Sequence, residues 1–238
     1  LVVDKLEQVH REYQLLSHHL RHKNIIQAYQ LIHAPDFLYM VMEWGGERTL
    51  FAVLRQFGRL PPERASGVVQ ELVEGVAYLH NQKVAHRDLK PENVQMDSEG
   101  HIKIIDFGLA VSMADRCTFR SSVGSMPFCS PQIMSSGPYD ARANDMWAVG
   151  VLMLDVYCGA QAFDHMLRGV LGGAKMTRPS LSVAVQQLFP TPENTLLQLQ
   201  RIWPRHPPRP RATGHGSRRT VVKHSVVAFE GGGAGGAE

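Results

Sequence analysis

The sequence predicts an α+β protein in which one helix and a β-hairpin precede a mostly helical body. Three observations carry that prediction. Leu6, Val9, Tyr13, Leu16 and Leu20 recur at steps of three and four, the spacing of one helix face. Two short apolar runs, residues 25–33 and 37–43, flank Ala34-Pro35-Asp36 in a hairpin pattern. Two longer helical patterns follow at about 62–81 and 142–158. With 238 residues, 44% hydrophobic and 20% charged, the chain is long and apolar enough to bury a core, which excludes a disordered protein.

Each element has a local reason. The first helix is expected over residues 4–20. Gly45-Gly46 breaks the second strand of the hairpin. Pro61-Pro62 opens the helix at 62–81, whose apolar stripe is Ala65, Val69, Leu72, Val76 and Leu79. Residues 94–97 and 101–105 read as two strands around the turn Ser98-Glu99-Gly100. An irregular stretch is expected over 106–140. The helix at 142–158 is apolar nearly all round and is therefore expected to be central and buried. Helical segments are expected near 181–189 and 193–202, before Pro204, Pro207, Pro208 and Pro210 stop regular structure. The chain closes on a glycine-rich end at 231–238. This order places the chemistry in the polar region between residues 84 and 132.

Composition narrows the class further. Cys117, Cys129 and Cys158 stand far apart with no CxxC pair, so a disulfide scaffold or zinc ribbon is not expected and a reducing compartment is. The opening residues lack a secretory pattern, and the most apolar run, 146–154, is too short to span a bilayer. The expectation is a soluble cytoplasmic protein, with the nucleus as the alternative, and no membrane partner. Net charge is +3, yet residues 201–224 hold seven basic residues and no acid. That leaves eighteen basic against twenty-two acidic residues elsewhere. Without interleaved aromatic residues the basic stretch reads as a solvated tail, so nucleic acid is not an expected partner.

The chemistry centres on His86-Arg87-Asp88-Leu89-Lys90-Pro91-Glu92-Asn93, with Asp106-Phe107-Gly108 beginning thirteen residues after Asn93. Phosphoryl transfer needs these parts: a carboxylate to orient the attacking hydroxyl, an ammonium beside the phosphoryl group, and amide and carboxylate oxygens for Mg²⁺. The segment resembles the catalytic loop and the metal-binding Asp-Phe-Gly of eukaryotic protein kinases. That resemblance implies a kinase-like fold with a partial small lobe at 1–44, a large lobe at 45–213 and a flexible basic, glycine-rich tail at 214–238.

It implies ATP and Mg²⁺ as cofactors and serine or threonine hydroxyls of protein substrates as acceptors. By likeness, Asp88 is the catalytic base, Lys90 the phosphate-contacting cation, and Asn93 and Asp106 the magnesium ligands. Ser125 stands where a hydroxyl bridges the aspartate and lysine. Lys90, two residues after Asp88, is similar to serine/threonine kinases. Residues 119–125 resemble the AMP-activated and calcium/calmodulin-dependent group, which makes Ser121 the expected target of an upstream kinase, with Arg87 as its partner. Gln132 replaces the family's glutamate, and Arg211 is its expected partner. Asp145 resembles the residue that anchors the catalytic loop. Glu92 is the candidate to face an arginine preceding the acceptor.

Residues 39–44 look like the last strand of the small lobe running into the hinge. Met42 would then guard the adenine pocket, and Glu43 and Gly45 would bind the adenine edge. Gln95 falls where the family usually has an apolar floor. Glu12 resembles the glutamate that pairs with the ATP-anchoring lysine, but that lysine and the glycine-rich loop have no counterpart in the sequence. The expectation is an N-terminally truncated kinase domain, or one with a degenerate small lobe, that alone transfers little phosphate. The alternatives are a pseudokinase serving as a binding module and a small-molecule phosphotransferase.

Overall fold

The computed structural model describes residues 2–35, 37–171 and 224–230. The expected α+β architecture is present. Helix α1 (Val2–Gln14) runs into a π-helical turn at Leu15–His19, where the Leu20 amide bonds back to the Leu15 carbonyl at 3.0 Å. The periodic pattern read as one helix over 4–20 is thus two helical geometries, and the wider turn keeps both Leu16 and Leu20 buried.

Strands β1 (Ala28–His33) and β2 (Phe37–Glu43) form the hairpin, with a bulge between Ala28 and Gln30. The first strand is shorter than expected because Ile25 makes only a single parallel bridge, to Ile104. Strand β3 (Arg48–Thr49) leads into α2 (Leu50–Phe57), a helix the sequence reading left out. Its signal was present: Thr49 caps it by accepting the Ala52 amide at 3.2 Å, and Leu50, Val53 and Leu54 are its buried face. Helix α3 (Pro62–Asn81) has the expected bounds.

Strand β4 (Val84–Ala85) and the 3₁₀ turn Pro91–Asn93 flank the candidate loop, and β5 (Val94–Met96) pairs with β6 (Ile102–Ile104). The region expected to be irregular holds only short pieces: β7 (Val111–Ser112), β8 (Thr118–Phe119), α4 (Pro131–Met134) and β9 (Tyr139–Asp140). Then come α5 (Ala141–Cys158) and α6 (Ala162–Leu171), bent 98° apart. No single described helix is long and apolar enough to cross a membrane.

One expectation needs correction. Within the tail read as flexible, His224–Glu230 forms strand β10, antiparallel to β2 in register from His224 opposite Glu43 to Glu230 opposite Phe37. The run Val226-Val227-Ala228-Phe229 has the β-forming composition for this, and it covers backbone groups on the edge of β2 that β1 leaves open. The helical segments expected at 181–189 and 193–202 lie outside the described residues.

Two clusters hold the body together. One joins α1, the hairpin, α3 and α5 through residues such as Val9, Met40, Leu72 and Leu152. The other packs Phe119, Ile133, Tyr139, Val151, Phe163 and neighbours under the loop region that ends at α5. Helix α5 contributes to both, as its all-round apolar sequence requires.

Candidate active site

The β5–β6 hairpin sets the spacing of the first pair of candidate ligands. Val94 stands opposite Ile104, and the Ile105 amide bonds the Asn93 carbonyl at 2.9 Å. Asn93 and Asp106 therefore flank the same open end of one hairpin although they lie thirteen residues apart. Asp106 adopts a φ of 63°, a left-handed conformation that aspartate tolerates better than most residues. That turn leaves Asp106 exposed, and its carboxylate accepts a 3.3 Å hydrogen bond from the Gly108 amide.

The loop before the hairpin is held from below by α5. Asp145, 0% exposed, accepts hydrogen bonds from the His86 amide at 2.9 Å and the Arg87 amide at 2.8 Å, and meets His80 Nε2 at 3.0 Å. A buried carboxylate needs such donors. The anchor also holds Arg87 at a φ of 67°, which costs about 1–2 kcal/mol for a residue with a Cβ. The strained residue directs Asp88 inward, where it is 8% exposed.

Around Asp88 the side chains close a ring. Lys90 Nζ lies 2.7 Å from Asp88 Oδ2 and donates to Ser125 Oγ at 2.9 Å. Ser125 Oγ and its own amide donate to Asp88 Oδ1 at 2.9 and 3.0 Å. Asn93 Nδ2 donates to the Asp88 carbonyl at 2.9 Å and to Oδ2 at 3.2 Å. With its amide nitrogen so engaged, Asn93 has its side-chain oxygen left over for a cation. The structure thus brings Asp88, Lys90, Asn93 and Ser125 into direct contact, with Asp106 beside them at the hairpin end.

The chain that carries this constellation is similar to known proteins. A model described as the protein kinase domain matches residues 2–201. The chain belongs to the protein kinase family. It is 38% identical over 156 residues to the SNF1-related protein kinase catalytic subunit alpha KIN12 of Arabidopsis thaliana, covering 66% of this chain and 31% of that protein. It is 33% identical over 189 residues to the serine/threonine protein kinases OSK3 and OSK4 of Oryza sativa subsp. indica, covering 77% of this chain and 37% of each. The chain spans about a third of the length of these curated relatives.

The remaining residues expected at the site fall as follows. Met42 packs against the main core, and Glu43 is tied by its amide to the Gln27 carbonyl at 2.8 Å and by its carboxylate to Lys103 at 2.9 Å. Gly45 is buried so tightly under Gln95 that a Cβ there would lie 2.2 Å from Gln95 Oε1. The polar Gln95 side chain therefore faces the turn after β2. Glu12 Oε1 accepts the Phe107 amide at 2.9 Å and makes no ion pair among the described residues. Burial, opposed by that hydrogen bond and aided by the Asp106 charge, pushes its carboxyl up to about 7. Gln132 is the second residue of α4, and Arg211 lies outside the described residues.

Three contacts escaped the sequence reading. Gln8 Nε2 donates to the Gly108 carbonyl at 2.7 Å, one helical turn before Glu12. Asn144 accepts the Ser130 amide at 2.9 Å from the residue beside Asp145. His80 reaches Asp145 from the end of α3. Only the i, i+4 spacing of Gln8 and Glu12 was a usable signal, because it puts both on one helix face.

Proposed function

We propose that this chain carries the phosphoryl-transfer lobe of a serine/threonine protein kinase, moving the γ-phosphoryl group of ATP to hydroxyls of protein substrates. The closed ring of Asp88, Lys90 and Ser125 is the observation that supports it most directly. Asp88 is the group to orient a substrate hydroxyl and take its proton. Lys90 sits 2.7 Å from that carboxylate, where it holds the carboxylate in place and offers positive charge to the group in transfer. Ser125 ties the following loop to both, fixing the floor on which a peptide would lie. Retention of this whole set speaks against the binding-module alternative.

Asn93 and Asp106 suit Mg²⁺ because both offer hard oxygen donors, one neutral and one anionic. When bound, that ion would neutralise phosphate charge. Met42 is the position that guards the adenine pocket, Glu43 and Gly45 are the positions for the adenine edge, and Gln95 puts a polar side chain where the family usually has an apolar floor. Among the described residues no cation meets Glu12, so transfer by the 238-residue chain alone should be slow.

Ser121 is the modification site that fits this reading. Its hydroxyl accepts from Arg87 Nη1 at 2.9 Å, while Arg87 Nε donates to the Leu109 carbonyl at 2.8 Å. A phosphate there would gain charge-assisted bonds to a guanidinium whose own backbone adjoins Asp88.

The test is magnesium-dependent transfer of labelled γ-phosphate to a degenerate serine/threonine peptide library at high concentration of the purified chain. A slow signal that falls by about 100-fold or more in Asp88→Asn is expected. A signal that Asp88→Asn leaves unchanged overturns the reading, as does the absence of any signal above an enzyme-free blank.

A further inference from the structure

The three-stranded sheet β1-β2-β10 ends in two edges, and they are not alike. Strand β1 carries a bulge between Ala28 and Gln30, and its Tyr29 carbonyl lies 3.5 Å from the Tyr13 hydroxyl of α1. A bulge and a neighbouring helix are devices that keep an edge from pairing with another chain. Strand β10 shows no such device. It runs seven residues in unbroken register with β2 and pairs with no other strand among the described residues. Its centre is Val226-Val227-Ala228-Phe229, which has β-forming composition and no proline or charged residue to turn away an approaching strand.

The ladder fixes which backbone groups of β10 point outward. The Glu43 amide bonds the Gln27 carbonyl at 2.8 Å, and the Phe37 carbonyl takes the Ala34 amide at 2.9 Å. Both ends of β2 thus turn their odd-numbered residues toward β1. Alternate residues of an antiparallel strand serve alternate neighbours, so Leu38, Met40 and Met42 serve β10. Their partners are Phe229, Val227 and Ser225. The other members of β10, His224, Val226, Ala228 and Glu230, therefore direct their amides and carbonyls away from β2.

That outward set is self-complementary. When a second copy of β10 is related to the first by a twofold axis through Val227, Val226 comes opposite Ala228 and His224 comes opposite Glu230. Every outward amide and carbonyl then meets its counterpart on the other copy. Any other antiparallel register leaves at least one outward residue of each copy unmatched. The same register sets an imidazole position against a carboxylate position at both ends, and never acid against acid.

We propose that β10 is the surface through which two copies of this chain associate, edge to edge, in one continuous antiparallel sheet of order β1-β2-β10-β10-β2-β1. The contact is isologous, the same patch on both copies, and it closes on itself instead of propagating into a fibre. A second copy is the occupant because the edge matches itself along its whole length, in hydrogen-bonding groups and in charge. The proposal goes beyond the kinase reading and does not depend on it.

The test follows the purified 238-residue chain by sedimentation velocity over about 1 to 100 μM, where a concentration-dependent monomer–dimer equilibrium is expected. Ala228→Pro removes an outward amide and leaves the bonds to β2 in place, since an edge strand accepts proline where the N–H faces outward. It should weaken association by about 10-fold or more. His224→Glu sets acid against acid at both ends and should weaken it by about 5-fold, and adding Glu230→Lys should restore it. Val227→Cys reads the register directly. It puts two thiols on the twofold axis in a pair whose Cα atoms lie about 4.5 Å apart, within the reach of a disulfide. Mild oxidation should link two copies of that variant. Ser225→Cys, opposite Phe229 in this register, should link no more than the wild type with its exposed Cys158.

A chain that stays monomeric over the whole range overturns the proposal, whether or not another part of the chain covers the edge. So does a dimer that keeps its affinity in both Ala228→Pro and His224→Glu. A dimer that oxidised Val227→Cys fails to link overturns it too, and points to β10 crossing over onto β2 of the second copy. Phosphate transfer bears on none of these outcomes, so the kinase reading stands or falls separately.

Discussion

Replacing Asp145 with alanine should be among the most damaging single changes in the described fold. Its carboxylate is fully buried and accepts the backbone amides of His86 and Arg87. Each buried donor left without a partner costs about 1–3 kcal/mol. The His80 contact at 3.0 Å is lost as well. Release of the Arg87 backbone from its left-handed conformation returns about 1–2 kcal/mol. The net loss should be about 3–5 kcal/mol, in line with the removal of one partner from a buried charged cluster.

Such a loss is a large fraction of the 5–15 kcal/mol that typical domains possess. In urea, with a slope of about 2–3 kcal/mol per molar, the unfolding midpoint should move down by about 1–2 M. Asparagine should fall between, since its oxygen can take one amide while its nitrogen confronts the other. The assay is equilibrium unfolding followed by tryptophan fluorescence, with wild type and both variants in parallel. If alanine costs less than about 1 kcal/mol, then the loop holds its shape without Asp145, and the account of how Asp88 is aimed is wrong.

Glu12 gives a pH prediction with a definite sign. Its carboxyl is raised in the folded state from 4.5 to about 7, so the protonated form favours folding. That stability is present below about pH 4.5 and is lost as pH rises through about 7. Relative to Glu12→Gln, the wild type should lose up to about 3 kcal/mol over that interval, read from thermal melts at pH 4.5 and 8; parallel curves would refute the burial argument. Gly46 gives a steric one. Its φ is 138°, and a Cβ there would meet the Met96 backbone at 2.4 Å. Gly46→Ala should therefore destabilise the chain by more than about 1 kcal/mol in urea, whereas Gly67→Ala, with open space around it, should not.

Much of the framework was legible because it is written in local periods and caps. Helix α3 begins at the proline pair and ends where its apolar stripe ends. Helix α5 starts behind Asp140, whose side chain accepts the Arg142 amide, and the lack of a polar face announced its burial. The loop carrying Asp88, Lys90 and Asn93 was legible for another reason: residues 86–93 form one continuous motif that resembles the catalytic loop of protein kinases. Helix α2 was missed although Thr49 and the Leu50, Val53, Leu54 pattern marked it, because eight residues give a short period little weight.

The sequence by itself determined which segments coil, which extend, and which polar side chains stand close together between residues 84 and 132, since those depend on neighbours along the chain. Only the tertiary structure decided how those side chains meet. It turned the Arg87 backbone by burying Asp145 beneath it and set Glu12 on the Phe107 amide ninety-five residues away. It also laid β10 against β2 and buried Asp155 with its Oδ1 unpartnered among the described residues. Those outcomes follow from satisfying buried donors, acceptors and apolar surfaces across the whole molecule at once, a condition that no local window contains.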